Sequence, residues 1–336
     1  MRTYLIRRLL LIIPTLFILT IIVFVTVRLI PGDVIDTMVA EMGPGFQSAG
    51  DVDREALERM LGLDVPVYVQ YGRWIGVLPT PDRLTGESRF TGLLQGTFGV
   101  SLFGGGVTVE EVMIGRLPVT IELGILAIVV GLVIALPVGV YSAIRQDTAA
   151  DYVGRTAAVI GLATPNFWLA TMVMLYPAIW WGWSPPVELI PFKEDPLGNL
   201  GMFLIPALIL GTALAASTMR MTRTMMLEVL RQDYIRTAWS KGLRERIVVM
   251  RHGIKNALIP VVTLVGLQLP LLVGGSVIME QIFALPGLGS LFVDALDSRD
   301  YPVVSAINMI FATAVLVINL MIDAVYALLD PRIRYE

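Results

Sequence analysis

Very little in this chain can perform bond-making chemistry. Its 336 residues include one histidine, His252, and no cysteine. A thiol nucleophile, a zinc–thiolate site and a disulfide are therefore excluded, and so is any site that needs two imidazoles. No Gly-x4-Gly-Lys-Ser/Thr loop is present to cradle phosphates. The glycines of "PGLGSLF" do not replace it, because no strand precedes them. What remains is isolated polar groups in apolar surroundings, namely Glu122, Asn166, Gln268, Asn308, Asn319 and Asp323. Added to these is one long, basic, patterned segment, residues 220–257. An acidic side chain at the centre of a membrane helix costs about 2.5–3.5 kcal/mol. Such groups either line a path for a solute or bridge helices, a bridge being worth about 0.6 kcal/mol. Bridging is the reading favoured for Asn308 and Asn319.

The elements that carry these groups are long and apolar. Of the residues, 55% are hydrophobic and only 16% charged, and the mean hydropathy is +0.74. A soluble domain carries about 25% charged residues. The charges here crowd between uncharged runs, and a run of about 20 apolar residues matches the hydrocarbon thickness of a bilayer. Six spans are expected: Leu9–Ile30, Val119–Ile144, Ala157–Trp181, Gly201–Met219, Leu258–Met279 and Val303–Leu329. The basic head before the first resembles a signal peptide, but the apolar stretch is too long and no small-x-small cleavage site follows. The third span contains Pro165 and Asn166, so "TPNFWLA" reads either as a broken helix facing a pore or as a proline kink.

With the N-terminus inside, 16 Lys and Arg fall on inner segments and eight on outer ones. The positive-inside rule then places both termini in the cytoplasm. The organisation expected is a first spanning helix, 1–30, an extracytoplasmic loop region, 31–116, and a five-helix core, 117–336, that includes the inner loop 220–257. The outer loop has twelve acidic and six basic residues. In it, "DVDREALERMLGLD" reads as a short helix with an Asp cap and with Leu57, Met60 and Leu61 on one side. The aromatics of "VPVYVQYGRWIG" are expected at the membrane interface. A third soluble segment, 280–302, should form a turn at "PGLG" and then a short helix, with Arg299, Asp300 and Tyr301 at the outer surface.

The inner loop carries the most information. Leu227, Leu230, Tyr234 and Ala238 recur at helical spacing, and Ile247, Met250, Ile254 and Ala257 do so again after Gly242. This predicts two amphipathic helices joined at a glycine and ending at Pro260, where the fifth span begins. A basic inner loop can serve only to fix topology, and an amphipathic helix can lie on lipid. A glycine joint between two short helices is explained more economically by docking to a protein partner, since glycine permits a positive φ or a close backbone approach.

At these residues the chain resembles a known family. "DYIRTAWSKGLRERIVVMRHGIKNALIPVV" is similar to the cytoplasmic loop of binding-protein-dependent ABC permeases of the dipeptide/oligopeptide branch. The family's small-residue cluster falls on Thr237 and Ala238, its glycine on Gly242, and its hydrophobic–Pro step on Leu258 to Pro260. Importers generally begin this motif Glu-Ala-Ala; here it is Arg236-Thr237-Ala238, a departure common in the peptide branch. Further similar pieces follow in order along the chain: "LLLIIPTLFILTIIVFVTVRLIPGD", "LGLDVPVYVQYGRWIG", "RLPVTIELGILA", "TPNFWLA", "MEQIFALPGLGSLFVDALDSRDYPVV" and "LLDPRIRYE".

The resemblance implies an all-α integral membrane protein with the type I ABC importer permease fold, in a bacterial or archaeal cytoplasmic membrane. It implies a heterodimer with a homologous permease, one or two cytoplasmic ATPase subunits that hold ATP and Mg, and an extracytoplasmic solute-binding protein. No cofactor, metal or nucleic acid is expected on this chain. The implied ATPase-coupling residues are Tyr234, Arg236, Thr237, Ala238, Lys241, Gly242, Leu243, Asn256 and Pro260. Candidates for the translocation path or gate are Pro165, Asn166, Phe167, Gln268 and Glu280. Solutes of this branch include dipeptides, oligopeptides, nickel chelates, glutathione and some sugars; peptide is the expected one. Two rivals fit the residues less well. An intramembrane enzyme lacks its acid–base pair, and an ion-coupled transporter would show repeated halves and more buried charge.

Overall fold

A computed structural model describes residues 2–29, 35, 54–81, 88–103, 105–186 and 188–329. The expected end of the first span at Ile30, the Asp cap of the outer-loop helix and the Asp-Pro-Arg tail lie outside them. The described chain is mostly helical. In order come α1 (Arg2–Arg28), α2 (Arg54–Leu61), α3 (Val67–Ile75) and a minimal hairpin pairing Thr80–Pro81 with Ser88–Arg89. Then follow α4 (Val109–Ile144), α5 (Ala149–Ala163), α6 (Asn166–Trp181), α7 (Pro196–Leu230) and α8 (Asp233–Ser240). The short α9 (Glu245–Ile247) runs through a π-helical segment, Val248–Ile254, into α10 (Lys255–Ile282). Last are α11 (Leu288–Asp297) and α12 (Tyr301–Leu329).

Among the described residues, five helical stretches are long and apolar enough to cross a membrane: Arg7–Arg28, Val109–Ile144, Pro196–Leu230, Glu245–Ile282 and Tyr301–Val325. The sixth candidate is a pair, α5 with α6, bent by 93°. The expected third span, Ala157–Trp181, is therefore not one helix. Thr164 precedes a proline, and the clash with the ring drives it to an extended backbone, φ −90° and ψ 119°. Its hydroxyl donates to the Ile160 carbonyl at 2.8 Å as α5 ends.

Three other spans are longer than the apolar runs suggest. Helix α4 starts ten residues before Val119, with Glu110 and Glu111 in its first turn, where the exposed N–H groups favour acids. Glu110 also accepts the Phe98 N–H. Helix α7 begins at Pro196 behind Asp195, whose carboxylate accepts the Leu197 and Gly198 N–H groups at 3.1 and 3.0 Å. It continues to Leu230, so the first eleven residues assigned to the inner loop are helix. Pro260 lies inside α10 and does not begin it.

The chain divides into two compact units. One comprises Met1–Leu5, Pro118–Ser290 and Val315–Glu336. Its core joins Leu123 and Ala127 of α4, Ala170 of α6, Phe203, Ala207 and Leu210 of α7, and Leu272 and Met279 of α10. Helices α4 and α7 meet closely. A Cβ on Gly211 would stand 2.7 Å from the Ala127 carbonyl oxygen, and one on Gly139 would stand 2.7 Å from Thr222 Cβ. Small residues of this kind let membrane helices pack backbone to backbone.

The other unit comprises Ile6–Leu117 and Leu291–Ala314. In it α3 packs on the C-terminal end of α1. The Phe24 ring meets Tyr71 edge-on at 5.1 Å and Trp74 at 5.7 Å, and the Thr20 and Tyr71 hydroxyls are 2.8 Å apart. Arg28 lies over the Phe24 ring and donates to Gln70. Tyr71 and Trp74 thus bind a helix, while Tyr68 is exposed. Asp300 is buried, which corrects its expected surface position. It accepts the Ser101 hydroxyl and the Leu102 N–H, and it caps the start of α12 through Val303 N–H. Asn308 donates to Val304 of its own helix at 3.0 Å, so this bond does not bridge helices.

Candidate functional site

The patterned inner loop forms a helical corner. After α7 ends at Leu230, two residues lead into α8, and the turn at Lys241–Gly242 leads out of it. Gly242 adopts φ +75°, in the left-handed region that glycine enters at no steric cost, which is one of the two properties expected of it. A Cβ there would meet nothing within 4 Å, so the joint faces open space.

The buried face differs from the expected one. Ile235 and Ala238 are the buried residues of α8, packed on Val229, Leu230, Leu243 and Val248, whereas Tyr234 is exposed. Leu227 and Leu230 belong to α7. Beyond the glycine, Ala257 is buried and Ile254 packs against its cluster, as expected, but Ile247 and Met250 are exposed, and Val248, Val249 and Gly253 are buried in their place. The π-helical turn explains the second difference. Its wider i→i+5 turn shifts the side-chain phase, so an i, i+3, i+4 count that finds Ile254 and Ala257 selects the wrong residues before them.

Seen from outside, α8 and its turn present Tyr234, Arg236, Thr237, Trp239, Lys241 and Gly242. Asn256 donates to the Tyr234 hydroxyl at 2.8 Å and to the His252 carbonyl at 3.2 Å, pinning α8 to the start of α10. Of the nine coupling candidates, Ala238 and Leu243 therefore form the base of the corner, Asn256 fastens it, and Pro260 lies in the helix behind it. Arg244, Arg246, Arg251 and Lys255 are also exposed here. The pairs Arg236–Asp233 and Arg145–Glu245, both 3.6 Å, are at the surface and worth at most about 1 kcal/mol each. The surface is cationic, with two large aromatic side chains. Among the described residues no group of His, Asp and Glu could hold a metal ion.

The candidates for the path occupy three separate settings. Pro165 and Asn166 form the bend between α5 and α6, with Asn166 half-buried and Phe167 and Trp168 about half exposed. Gln268 bridges helices: its Oε1 accepts the Ser217 hydroxyl of α7 at 2.6 Å, while its Nε2 donates to Leu264 at 3.3 Å. Glu280 is fully buried. One oxygen accepts the Thr120 hydroxyl at 2.7 Å and the other the Ser290 N–H at 3.0 Å. Thr120 in turn accepts the Leu288 N–H at 2.8 Å. Two unpaired donors of the first turn of α11 are thus satisfied from distant helices. Gly287 makes room for this, since a Cβ there would overlap the Glu280 carboxylate. The Glu-x-x-Phe and Pro-Gly-Leu-Gly elements are parts of one cap.

One cluster escapes the sequence pattern altogether. Asp151, in the first turn of α5, is fully buried and accepts both Nε and Nη2 of Arg223 on α7, at 2.8 and 2.7 Å. By charge counting, Arg223 is one more topology signal. What sets it apart is its place inside "STMRMTRTMM", an otherwise uncharged helical run apart from Arg220, within reach of an acid only through the fold.

Comparison with known proteins bears on this arrangement. Residues 135–335 match the family described as "Binding-protein-dependent transport system inner membrane component", and residues 1–124 match its N-terminal companion, "Binding-prot-dependent transport system membrane comp, N-term". The chain is 41% identical over 337 residues to the oligopeptide transport system permease protein AppB of Bacillus subtilis, covering 100% of both chains. It is 37% identical over 340 residues to the glutathione transport system permease protein GsiC of Salmonella paratyphi A, again over 100% of both. The fold is similar to that of the MetNI methionine ABC transporter in inward-facing conformations, with TM-score 0.51 and 19% identity over 66% of this chain and 97% of that one. It is also similar to an amino acid ABC transporter crystallised with histidines, with TM-score 0.50 and 14% identity over 65% and 94%.

Proposed function

The chain belongs to the family of binding-protein-dependent transport system inner membrane components, and from that premise we propose that it forms, with a homologous second permease, a path for di- or oligopeptides. It is a permease component of an ABC importer and not an enzyme. In this reading ATP and Mg are bound and used by one or two cytoplasmic ATPase subunits, and a solute-binding protein delivers the peptide from outside. Peptide is favoured because the relatives compared carry names for oligopeptide and for glutathione, itself a tripeptide.

The observation that carries the coupling role is the corner at α8. Its apolar residues, Ile235 and Ala238, are spent on packing against its own chain, which leaves a rigid, cationic, aromatic-bearing surface at Gly242. Tyr234, Arg236, Thr237, Lys241 and Gly242 would meet the ATPase, with Ala238, Leu243, Asn256 and Pro260 holding them in place. Closure of the ATPases would then rock the spanning helices as rigid bodies. Pro165, Asn166 and Phe167 would border the path. Gln268 and Glu280 would fix the helices around it, since their polar atoms are already engaged.

Counting the bent α5–α6 pair as one span gives six spans, and the excess of Lys and Arg on alternate segments puts both termini in the cytoplasm. The extracytoplasmic region is then 31–116, after the first span 1–30 and before the core 117–336. The deciding experiment is gentle purification of the tagged chain from its native membrane, with mass spectrometry of everything that accompanies it. A second permease, an ATPase and a peptide-loaded binding protein are expected. Recovery of the chain alone, stable and monodisperse, would overturn the reading.

A further inference from the structure

The buried Asp151 carboxylate is saturated from three directions. Oδ1 accepts Arg223 Nε at 2.8 Å and the Ser142 hydroxyl of α4. Oδ2 accepts Arg223 Nη2 at 2.7 Å and the Asp147 N–H of the α4–α5 turn at 3.1 Å. Arg155 stands one turn on, at 3.8 Å. About four acceptor sites are all that a carboxylate offers, and the two-pronged arginine contact fixes an angle as well as a distance. Three elements, α4, α5 and α7, are therefore tied at one point. Around it the packing is close: Cβ atoms on Gly154 and Gly161 of α5 would stand 3.1 Å from Met219 Cε and 3.4 Å from Ala216 Cβ of α7.

The position of the tie matters. Arg223 lies seven residues before the end of α7, about 10 Å along the axis, and only Arg231 and Gln232 separate α7 from α8. Asp151 begins α5, whose other end is the 93° bend at Pro165. A load applied at α8 thus reaches the bend through the last turns of α7, the Arg223–Asp151 joint and α5.

We propose that Asp151 and Arg223 are positioning residues for transport, locking α5 to α7 so that displacement of α8 by a partner ATPase turns the bend at Pro165. This rests on the permease reading above. A stabilising pair with no such role would hold the same helices together but would not decide how far α6 follows α8.

The test uses the complex isolated with its partners and reconstituted in lipid. The chain has no cysteine, so Leu175→Cys on α6 and Arg231→Cys after α7, both exposed, take spin labels on this chain at those two positions only. Their distance is measured with and without ATP plus vanadate. D151N/R223M removes both charges together, which avoids stranding one of them. The expected result is a double variant that stays folded and still hydrolyses ATP, yet loses at least half of the nucleotide-driven shift in distance. A full shift in that variant overturns the proposal, and so does its failure to fold, which would make the pair structural. If the unaltered complex hydrolyses no ATP, or shows no shift, the permease reading fails first and this one with it.

Discussion

Two carboxylates in the same compact unit are fully buried, and they do different structural work. Asp151 faces a full positive charge, the Arg223 fork, supported by a hydroxyl and an N–H. Glu280 accepts the Thr120 hydroxyl and the Ser290 N–H, inside a space that glycines leave open. The first is a joint between helices and depends on charge. The second caps another helix, in a space whose shape Gly287 and Gly289 set. The same residue chemistry therefore fails differently in the two places: loss of Asp151 leaves the half-buried Arg223 guanidinium without its carboxylate, whereas loss of Glu280 strands backbone and hydroxyl donors.

That difference sets an order of effects. The largest is expected for Asp151→Asn alone. It should lower stability by about 3 kcal/mol, the low end of the cost of leaving half of a buried ion pair behind, because Arg223 keeps some contact with solvent. SDS titration of the purified chain in mixed micelles would measure it. D151N/R223M should recover much of that loss. If the double variant is no better than the sum of the two singles, the joint is not ionic and the comparison breaks.

Next comes Glu280→Gln, expected to cost about 1–3 kcal/mol, since an amide offers an NH2 group where donors already point inward. Gly287→Ala should cost a similar amount, about 1–3 kcal/mol, by overpacking the same space. The sharper measurement is a double-mutant cycle. Glu280→Asp shortens the side chain and should make Gly287→Ala less harmful, a coupling seen as non-additivity in the same titration. Strict additivity would mean that Gly287 does not shape the carboxylate's site.

Much of this is legible in the residues, and the limits have physical causes. Apolar runs locate the hydrophobic lengths, but not the helix ends. Helix α4 starts at Val109 and α7 runs to Leu230, because a helix continues past the hydrocarbon as long as its polar residues can face water. The break after Thr164 is foreshadowed by Pro165, and its 93° angle is not, since a bend is set by what packs around it. The Gly242 joint follows from residue type alone. Of the stripe beyond it, Ile254 and Ala257 follow as well, but Ile247 and Met250 do not, because no local sequence rule announces the π-helical turn at Val248–Ile254. Thr120 and Glu280 are 160 residues apart, and Asp151 and Arg223 are 72 apart. Pairs that distant are products of the fold, and a single sequence carries no trace of their pairing.

The smallest effect on stability is expected at Gly242, and it separates backbone from surface. A methyl group added there would meet no other atom within 4 Å, so only the left-handed φ of +75° penalises a substitution. Gly242→Ala should therefore cost about 1–2 kcal/mol. Gly242→Asn should cost less, because asparagine tolerates that region. Neither is expected to remove the protein from the membrane. Gly242→Trp has a similar backbone penalty but adds bulk on the exposed corner, so its transport should fall far more than its stability does. Parallel measurement of membrane abundance and ATP-dependent peptide uptake for the three variants distinguishes the cases. Uptake that tracks abundance in all three would make Gly242 a folding residue like Gly287. Normal abundance with lost uptake in the tryptophan variant alone would place a partner's surface against the corner, where shape matters outside the chain as it does inside around Glu280.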